Sequence, residues 1–126
     1  MVEVEVDYSE DVPVSATPEE AFALLSDVYA SGSHFPGLAS LTAVDKAGRW
    51  RWTMQEKGFG PVKIAATYEA IYDCDADAMR VDWKPAPGRN DMESFGSWEI
   101  LSGPGGTTLR FHARTIAHIP APRLMN

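Results

Sequence analysis

The sequence has little cysteine, little positive charge and no long apolar run, and each shortage excludes a class of protein. Cys74 is the only cysteine, so no intrachain disulfide can form and the paired cysteines of a zinc site are missing. A reducing cytoplasm is the natural location for such a chain. The 11 Lys and Arg are outnumbered by 18 Asp and Glu, giving a formal net charge of -7. This balance argues against binding to nucleic acid or to anionic membranes.

Targeting and membrane segments are also missing from the sequence. Residues 1–8 alternate Val with Glu or Asp and have neither the basic nor the apolar region of a signal peptide. No stretch approaches the ~20 apolar residues of a membrane span. With 44% hydrophobic and 23% charged residues, the composition is typical of a soluble globular protein. We therefore expect a single domain covering residues 1–126.

Alternation of apolar and polar residues predicts β-structure over most of the chain. Turn-forming residues separate consecutive strands, which favours an antiparallel meander. A strand at 62–73 would be about 40 Å long if straight, so the sheet must bend, and Gly96 is a suitable position for a bulge. The predicted strands are residues 2–14, 39–45, 49–56, 62–73, 79–84, 92–101 and 107–119.

One amphipathic helix is predicted after the first strand. Thr17 can cap its N-terminus, and Glu20 stands at the third position that completes a capping box. Phe22, Leu25 and Tyr29 follow at helical spacing and predict one apolar face. A second short helix is expected before the Gly- and Pro-containing turn that follows.

This order of elements, together with two local motifs, resembles the START-like, SRPBCC superfamily. Residues 14–27, VSATPEEAFALLSD, resemble the strand-to-helix signature of the family, and residues 34–38, HFPGL, resemble its aromatic-Pro-Gly segment. The resemblance covers essentially the whole chain. It implies an α+β helix-grip fold in which a curved antiparallel sheet of about seven strands follows short N-terminal helices. It also implies a hydrophobic cavity between the sheet and a long C-terminal helix.

The end of the sequence departs from the family pattern. Residues 118–126, HIPAPRLMN, stand where the long C-terminal helix should begin. We therefore expect the domain to be truncated before or within that helix. The alternative is a homodimer or another chain that covers the open concave face, since a large exposed aromatic groove is an aggregation liability.

The four tryptophans occupy the apolar register of their predicted strands, and they suggest where a ligand would bind. Simple core packing is the better explanation for any single one of them. As a set, they are expected to line a cavity for a hydrophobic molecule, with Tyr68, Tyr72 or an indole N–H as a polar anchor. The predicted ligand-binding residues are Trp50, Trp52, Met54, Tyr68, Trp83, Trp98, Phe111, Phe35 and His34.

The histidines do not indicate a catalytic or metal site. His112 lies between Arg110 and Arg114 in the polar register of the last strand, so we expect it on the solvent face. His34 follows the helices and is expected near the mouth of the cavity. The spacing of a metal site and the frame of a Ser or Cys nucleophile are both missing. No catalytic residue, metal or cofactor is predicted.

The resemblance implies three kinds of function. The first is binding or transport of a small hydrophobic ligand, such as a lipid, quinone or polyketide-like compound, in a cavity on the concave sheet face. The alternatives are a polyketide cyclase/dehydrase-like enzyme and an accessory protein-interaction module, similar to the START-like proteins associated with carbon monoxide dehydrogenase. Cyclization needs polar groups that enolise or protonate the substrate, and the sequence does not assemble such a set. A binding protein is therefore expected rather than an enzyme.

Overall fold

The computed structural model describes residues 2–59, 62–88 and 90–119. Seven strands form one antiparallel sheet in the order β1-β9-β8-β7-β6-β3-β2, and two short strands, β4 and β5, pair separately. Residues 120–126, where the closing helix is expected to begin, lie outside the described ranges. In chain order the elements are β1 (Val2–Val14), α1 (Pro18–Ser26), α2 (Val28–Gly32), β2 (Leu38–Ala43), β3 (Arg49–Met54), β4 (Lys57–Phe59), β5 (Val62–Ile64), β6 (Thr67–Asp75), β7 (Arg80–Pro85), β8 (Met92–Gly103) and β9 (Gly106–Ile119).

The predicted α+β architecture and the meander are confirmed. Strands β6 to β9 pair in sequence order, and β1 joins the sheet along β9 through an unbroken register from Val2–Ile119 to Val14–Thr107. Both helices pack on one face of the curved sheet, which we call the concave face; the opposite face is the convex face. Two clusters of buried residues fill the space beneath the helices. The first cluster joins Ala21 and Leu25 of α1 to Val81 and Ile100 of the sheet, and the second joins Val28 of α2 to Leu41 and Trp52 of the sheet.

The start of α1 is closed by the predicted capping box. The Thr17 backbone N–H donates to Glu20 Oε1 at 3.1 Å, and the Glu20 backbone N–H donates to Thr17 Oγ1 at 3.2 Å. Two otherwise unpaired helix donors are thereby satisfied. The hydrogen bond from the Thr17 backbone N–H, with a smaller contribution from the Thr17 side chain, lowers the pKa of the Glu20 carboxyl.

A break at Asp27 changes which side of the helical segment is buried. Asp27 ends α1, and its carboxylate accepts from the Ala30 backbone N–H at 3.0 Å to begin α2. The new helix direction buries Val28 and leaves Tyr29 57% exposed. The prediction that Tyr29 shares one apolar face with Leu25 is therefore wrong. It assumed one continuous helix, whereas the helix breaks at Asp27, between the two residues.

Two predictions about the strands are also wrong. Residues 62–73 are not one long strand: they are divided between β5 and β6, with a break at residues 65–66. Pairing of β6 with β3 begins only at Thr67, and residues 57–59, which were expected to be a turn, form β4 against β5. The β8–β9 register runs through Gly96 without a shift, so the bulge lies between Leu38 and Ser40 instead.

Candidate functional site

The concave face carries two groups of aromatic side chains in ring contact. The first aromatic group consists of Phe35, Trp52 and Tyr68. The second aromatic group consists of Tyr8, Tyr72, Trp83, Trp98 and Phe111. Directly opposed residues of neighbouring strands share a face, so cross-strand pairing places these rings side by side.

The first aromatic group is a stack beneath α2. The rings of Trp52 and Tyr68 lie parallel, with an interplanar angle of 6° and centroids 6.0 Å apart. Phe35 meets Trp52 edge-on at 5.7 Å and is 47% exposed, so it forms the outer end of the stack. Gly32 permits the close approach of α2, since a Cβ there would lie 2.7 Å from Cη2 of Trp52. The backbone of α2 at Gly32 therefore packs directly on the Trp52 ring, in addition to the ring contacts within the stack.

The second aromatic group runs across the sheet from β6 to β1. Ring centroids are 5.8 Å apart between Tyr72 and Trp83, and 5.9 Å between Trp83 and Phe111. Phe111 then contacts Trp98 at 4.6 Å and Tyr8 at 6.1 Å. These tilted contacts are favourable arrangements for aromatic rings. The series passes from the half-buried middle of the sheet to Tyr8, which is 50% exposed.

The indole of Trp83 is fixed in one orientation. Its Nε1 donates to the buried Ser94 Oγ at 3.0 Å. Gly96 stands directly opposite Trp83 in the β7–β8 pairing and leaves room for the ring. A Cβ at Gly96 would lie 2.6 Å from Cε2 of the indole. One polar contact and one glycine therefore hold Trp83 flat against β8.

Polar groups of the concave face lie beside Trp52. Burial raises the pKa of Tyr68 and Tyr72 well above the ordinary value, so both phenols keep their protons. Trp52 Nε1 is enclosed with no acceptor in hydrogen-bond geometry among the described residues. Tyr68 and Tyr72 both pack against the buried cluster that contains Trp52.

A carboxylate also lies on the concave face at the edge of the second aromatic group. Glu10 stands opposite Phe111 in the β1–β9 pairing, and the Tyr8 hydroxyl donates to Glu10 Oε2 at 2.6 Å. This hydrogen bond raises the pKa of Tyr8. Both side chains are exposed, so a molecule lying on Phe111 would reach them.

Positive charge is gathered on the convex face. All five arginines of the described ranges form ion pairs there, and His112, predicted on the solvent face, is exposed with Nε2 2.9 Å from Asp7 Oδ1. In the described part of the sheet, no lysine or arginine lies on the concave face. The arginine pairs are Arg49 and Arg51 with Glu69, Arg80 with Asp82 and Glu99, Arg110 with Asp11, and Arg114 with Glu5.

The structure brings most of the predicted site residues together. Six of the nine belong to the two aromatic groups, and Trp50 packs beside the first group against the Val28 cluster. Met54 is half-buried at the end of β3, with its Cε close to Gly37. His34 is exposed in the turn after α2, outside both groups.

Sequence reasoning missed Tyr8, Glu10, Ser94 and the two glycines that accommodate the indoles. Alternation along β1 would have placed Tyr8 on the apolar face, but its contact with Phe111 depends on pairing between the two ends of the chain. The role of Ser94 has no sequence signal, because it depends on an indole 11 residues away.

Across residues 2–59, 62–88 and 90–119, no group of three or more His, Cys, Asp or Glu side chains is arranged to hold a metal ion. None of the helices described is long and apolar enough to cross a membrane.

The fold and the aromatic concave face define a START-like, helix-grip protein. A family model described as polyketide cyclase / dehydrase and lipid transport matches residues 3–125, and the chain belongs to that family. No curated protein matches the sequence.

Solved structures share the fold at low sequence identity, and at these identities the likeness shows the fold alone. A protein from Deinococcus radiodurans has 22% identity and a TM-score of 0.66, over 87% of this chain and 80% of that one. A START superfamily protein from Mycobacterium smegmatis has 15% identity and a TM-score of 0.65, over 96% and 82%. The Zhui aromatase/cyclase from Streptomyces sp. R1128 has 13% identity and a TM-score of 0.62, over 95% and 71%.

Proposed function

We propose that the protein binds a small hydrophobic molecule on the concave face, in contact with the second aromatic group. The observation that carries the proposal is the continuous series of rings from Tyr72 through Trp83 and Phe111 to Tyr8. Helix α1 packs beside this series, on Val81 and Ile100.

Exposed apolar side chains continue the same surface along β1. Val4 is 43% exposed, Val6 56% and Tyr8 50%, and all three share the concave face with Phe111. Contiguous exposed apolar surface of this kind marks a binding site more often than isolated exposed residues do. Aromatic rings on a preformed surface suit a planar or polycyclic ligand, because stacking adds to the gain from apolar burial.

The family supports this proposal, since its description includes lipid transport as well as cyclization. The contact residues retained from the predicted set are Trp83, Trp98 and Phe111, with Tyr72 retained as a polar anchor and Tyr8 added from the structure. A reducing, cytoplasmic location remains part of the proposal and is supported by the single cysteine.

Calorimetric titration with a fatty acid, a quinone and a polycyclic aromatic hydrocarbon tests the proposal. We expect at least one probe to bind, and Phe111→Ala to weaken it by about tenfold through lost ring contacts. Phe95→Ala is the matched control, because Phe95 is 39% exposed on the convex face of the same sheet. Failure of every probe to bind, or equal weakening by both variants, would overturn the proposal.

A cyclase activity is a second candidate, favoured by the Tyr8–Glu10 pair beside Phe111. Cyclization of a poly-β-ketone begins with removal of a proton between two carbonyl groups, and a carboxylate on the apolar face is suited to that step. Glu10 would accept the proton, and the Tyr8 hydroxyl would orient the carboxylate.

Product formation from a poly-β-ketone thioester, followed by mass spectrometry, tests this second candidate. Glu10→Gln should abolish turnover and leave the melting temperature unchanged, because the side chain is exposed. Turnover that persists in this variant would exclude Glu10 as the base.

A further inference from the structure

We propose that a cavity at one end of the sheet binds a neutral molecule with several hydroxyl groups, such as a monosaccharide or a polyol. Its volume is about 460 Å³, within the range of cavities that hold small molecules. This second site goes beyond the proposed function, because it shares no residue with the two aromatic groups. The cavity is lined by residues 14–18, which connect β1 to α1, and by Ser102, Gly103, Gly105, Gly106 and Thr107 of the β8–β9 hairpin.

The floor of the cavity is a row of three residues on neighbouring strands. Thr107 of β9 pairs with Val14 of β1 on one side and with Ser102 of β8 on the other. Directly opposed residues share a face, and alternation along β9 places the row on the same face as Phe111. The cavity therefore lies at the far end of the concave face, beside the start of α1.

The buried cluster under α1 separates this cavity from the second aromatic group. Leu109 and Ile100 are direct partners across the β8–β9 pairing, and both pack in that cluster. On β9, Leu109 lies between Thr107 and Phe111, which are about 13 Å apart along the strand. A small molecule in the cavity is thus held away from the aromatic rings.

Hydroxyl groups supply the polar part of the lining. Thr107 is only 5% exposed, yet its hydroxyl has no hydrogen-bond partner among the described residues. It is not one of the fully enclosed side-chain atoms without a partner, so its oxygen remains accessible from the cavity. Ser15 and Ser102 add two exposed hydroxyls at the rim. Each hydroxyl can both donate and accept, which suits a ligand that carries hydroxyls of its own.

The lining carries no charge that would select an ion. All ten lining residues belong to the described ranges, and each of them is uncharged. An anion or a cation in the cavity would therefore lose its hydration without gaining a partner of opposite charge, which is strongly unfavourable.

The start of α1 does not supply an anion site either. The backbone N–H groups of Thr17 and Glu20 are used in the capping box, and that of Ala21 donates to the Thr17 carbonyl. Pro18, the first helical residue, has no N–H to offer. The carboxylates of Glu19 and Glu20 in the first turn also oppose a negative ligand. The cavity is therefore complementary to a neutral molecule.

A glycine leaves the hairpin side of the cavity unobstructed. A Cβ at Gly105 would meet nothing within 4 Å, and the φ angle of this residue lies outside the left-handed region. Neither crowding nor the turn therefore requires glycine there. Val14, Ala16 and Pro18 provide apolar surface on the opposite wall, which suits the C–H face of a sugar ring.

Titration of the ¹⁵N-labelled protein with glycerol, myo-inositol, D-glucose and N-acetylglucosamine, followed by NMR, tests the proposal. At least one of these probes should shift the amide signals of residues 14–17 and 102–107. The indole N–H signals of Trp83 and Trp98 report on the second aromatic group and should stay unchanged. D-glucose 6-phosphate should bind more weakly than D-glucose, because it is an anion.

Variants locate the contact. Thr107→Val keeps the branched shape but removes the hydroxyl, and it should weaken binding of the tightest probe by about fivefold, the effect of one hydrogen bond. Thr108→Val is the matched control, because the next residue of β9 lies on the convex face, and it should leave the affinity unchanged. Ser102→Leu places a larger side chain in the cavity at an exposed position and should abolish binding in a folded protein.

Four results would overturn the proposal. The first is that no probe shifts the signals of the cavity residues, and the second is that the indole signals move instead. Tighter binding of the phosphate ester than of D-glucose would show that the site selects anions. Equal affinities for Thr107→Val and Thr108→Val, with both variants folded, would show that the Thr107 hydroxyl does not contact the ligand. None of these results bears on binding of hydrophobic probes at the aromatic groups.

Discussion

The indole ring of Trp83 lies against Gly96, its direct partner across the β7–β8 pairing. A Cβ on that glycine would stand 2.6 Å from Cε2 of the ring and 2.5 Å from the His112 carbonyl oxygen. The carbonyl belongs to β9, so neither neighbour can move without disturbing the sheet. The position of one tryptophan of the concave face thus depends on the absence of a side chain.

Gly96→Ala is expected to destabilise the protein by about 2 kcal/mol, because overpacking forces the indole and the backbone apart. The near-ultraviolet circular dichroism of the tryptophans should change at the same time. Gly103→Ala is the matched control, since a Cβ there would meet nothing within 4 Å. An unchanged denaturation midpoint and spectrum for Gly96→Ala would show that the ring is not held by this contact.

The buried phenols predict a loss of stability at alkaline pH. Their folded-state pKa values are raised above the ordinary value of 10.0, so the unfolded chain releases these protons first. Stability is therefore full below pH 10 and falls above it, by about 1.4 kcal/mol per pH unit for each tyrosine. In urea denaturation between pH 9 and 11, the free energy of unfolding should fall less steeply with pH in Tyr72→Phe than in Tyr29→Phe. Equal slopes of unfolding free energy against pH would show that Tyr72 does not cause the alkaline loss of stability.

Glu69 predicts the opposite dependence, at acid pH. The hydrogen bond from Arg49, with smaller contributions from Arg51, lowers the pKa of the Glu69 carboxyl below its usual 4.5. Its contribution to stability is present above pH 4.5 and is lost as the pH falls through the lowered value.

Replacement of the Glu69 carboxylate should lower the stability of the protein. Glu69→Gln is expected to lower stability at pH 7 by about 1 kcal/mol, because the pair is partly exposed. The difference from the unmodified protein should shrink as the pH falls below 4.5. Glu56→Gln, at an exposed position after β3, is the control. A difference that stays constant from pH 7 to pH 3 would show that charge is not the cause.

The capping box at the start of α1 gives a prediction for the helices. Thr17→Ala removes the acceptor of the Glu20 backbone N–H and should lower the free energy of unfolding by about 1 kcal/mol. Ser15→Ala, two residues earlier and exposed, should have no effect. Thermal denaturation followed by circular dichroism distinguishes them, and equal melting temperatures would contradict a stabilising cap.

Local patterns in the sequence were enough to determine most of the strands, the capped helix and the face on which each tryptophan lies. Alternation and capping are properties of neighbouring residues, so they can be read without knowing the fold. The same patterns could not reveal the break between β5 and β6, because alternation continues across residues 65–66.

Only the tertiary structure determined which of these residues are in contact. The contact of Tyr8 with Phe111 and the fit of Trp83 over Gly96 both depend on cross-strand register. Register joins residues that are far apart in the chain and is set by the packing of the whole sheet. The sequence by itself determined an apolar, aromatic face, whereas the fold determined which aromatic rings and polar groups on that face form a site.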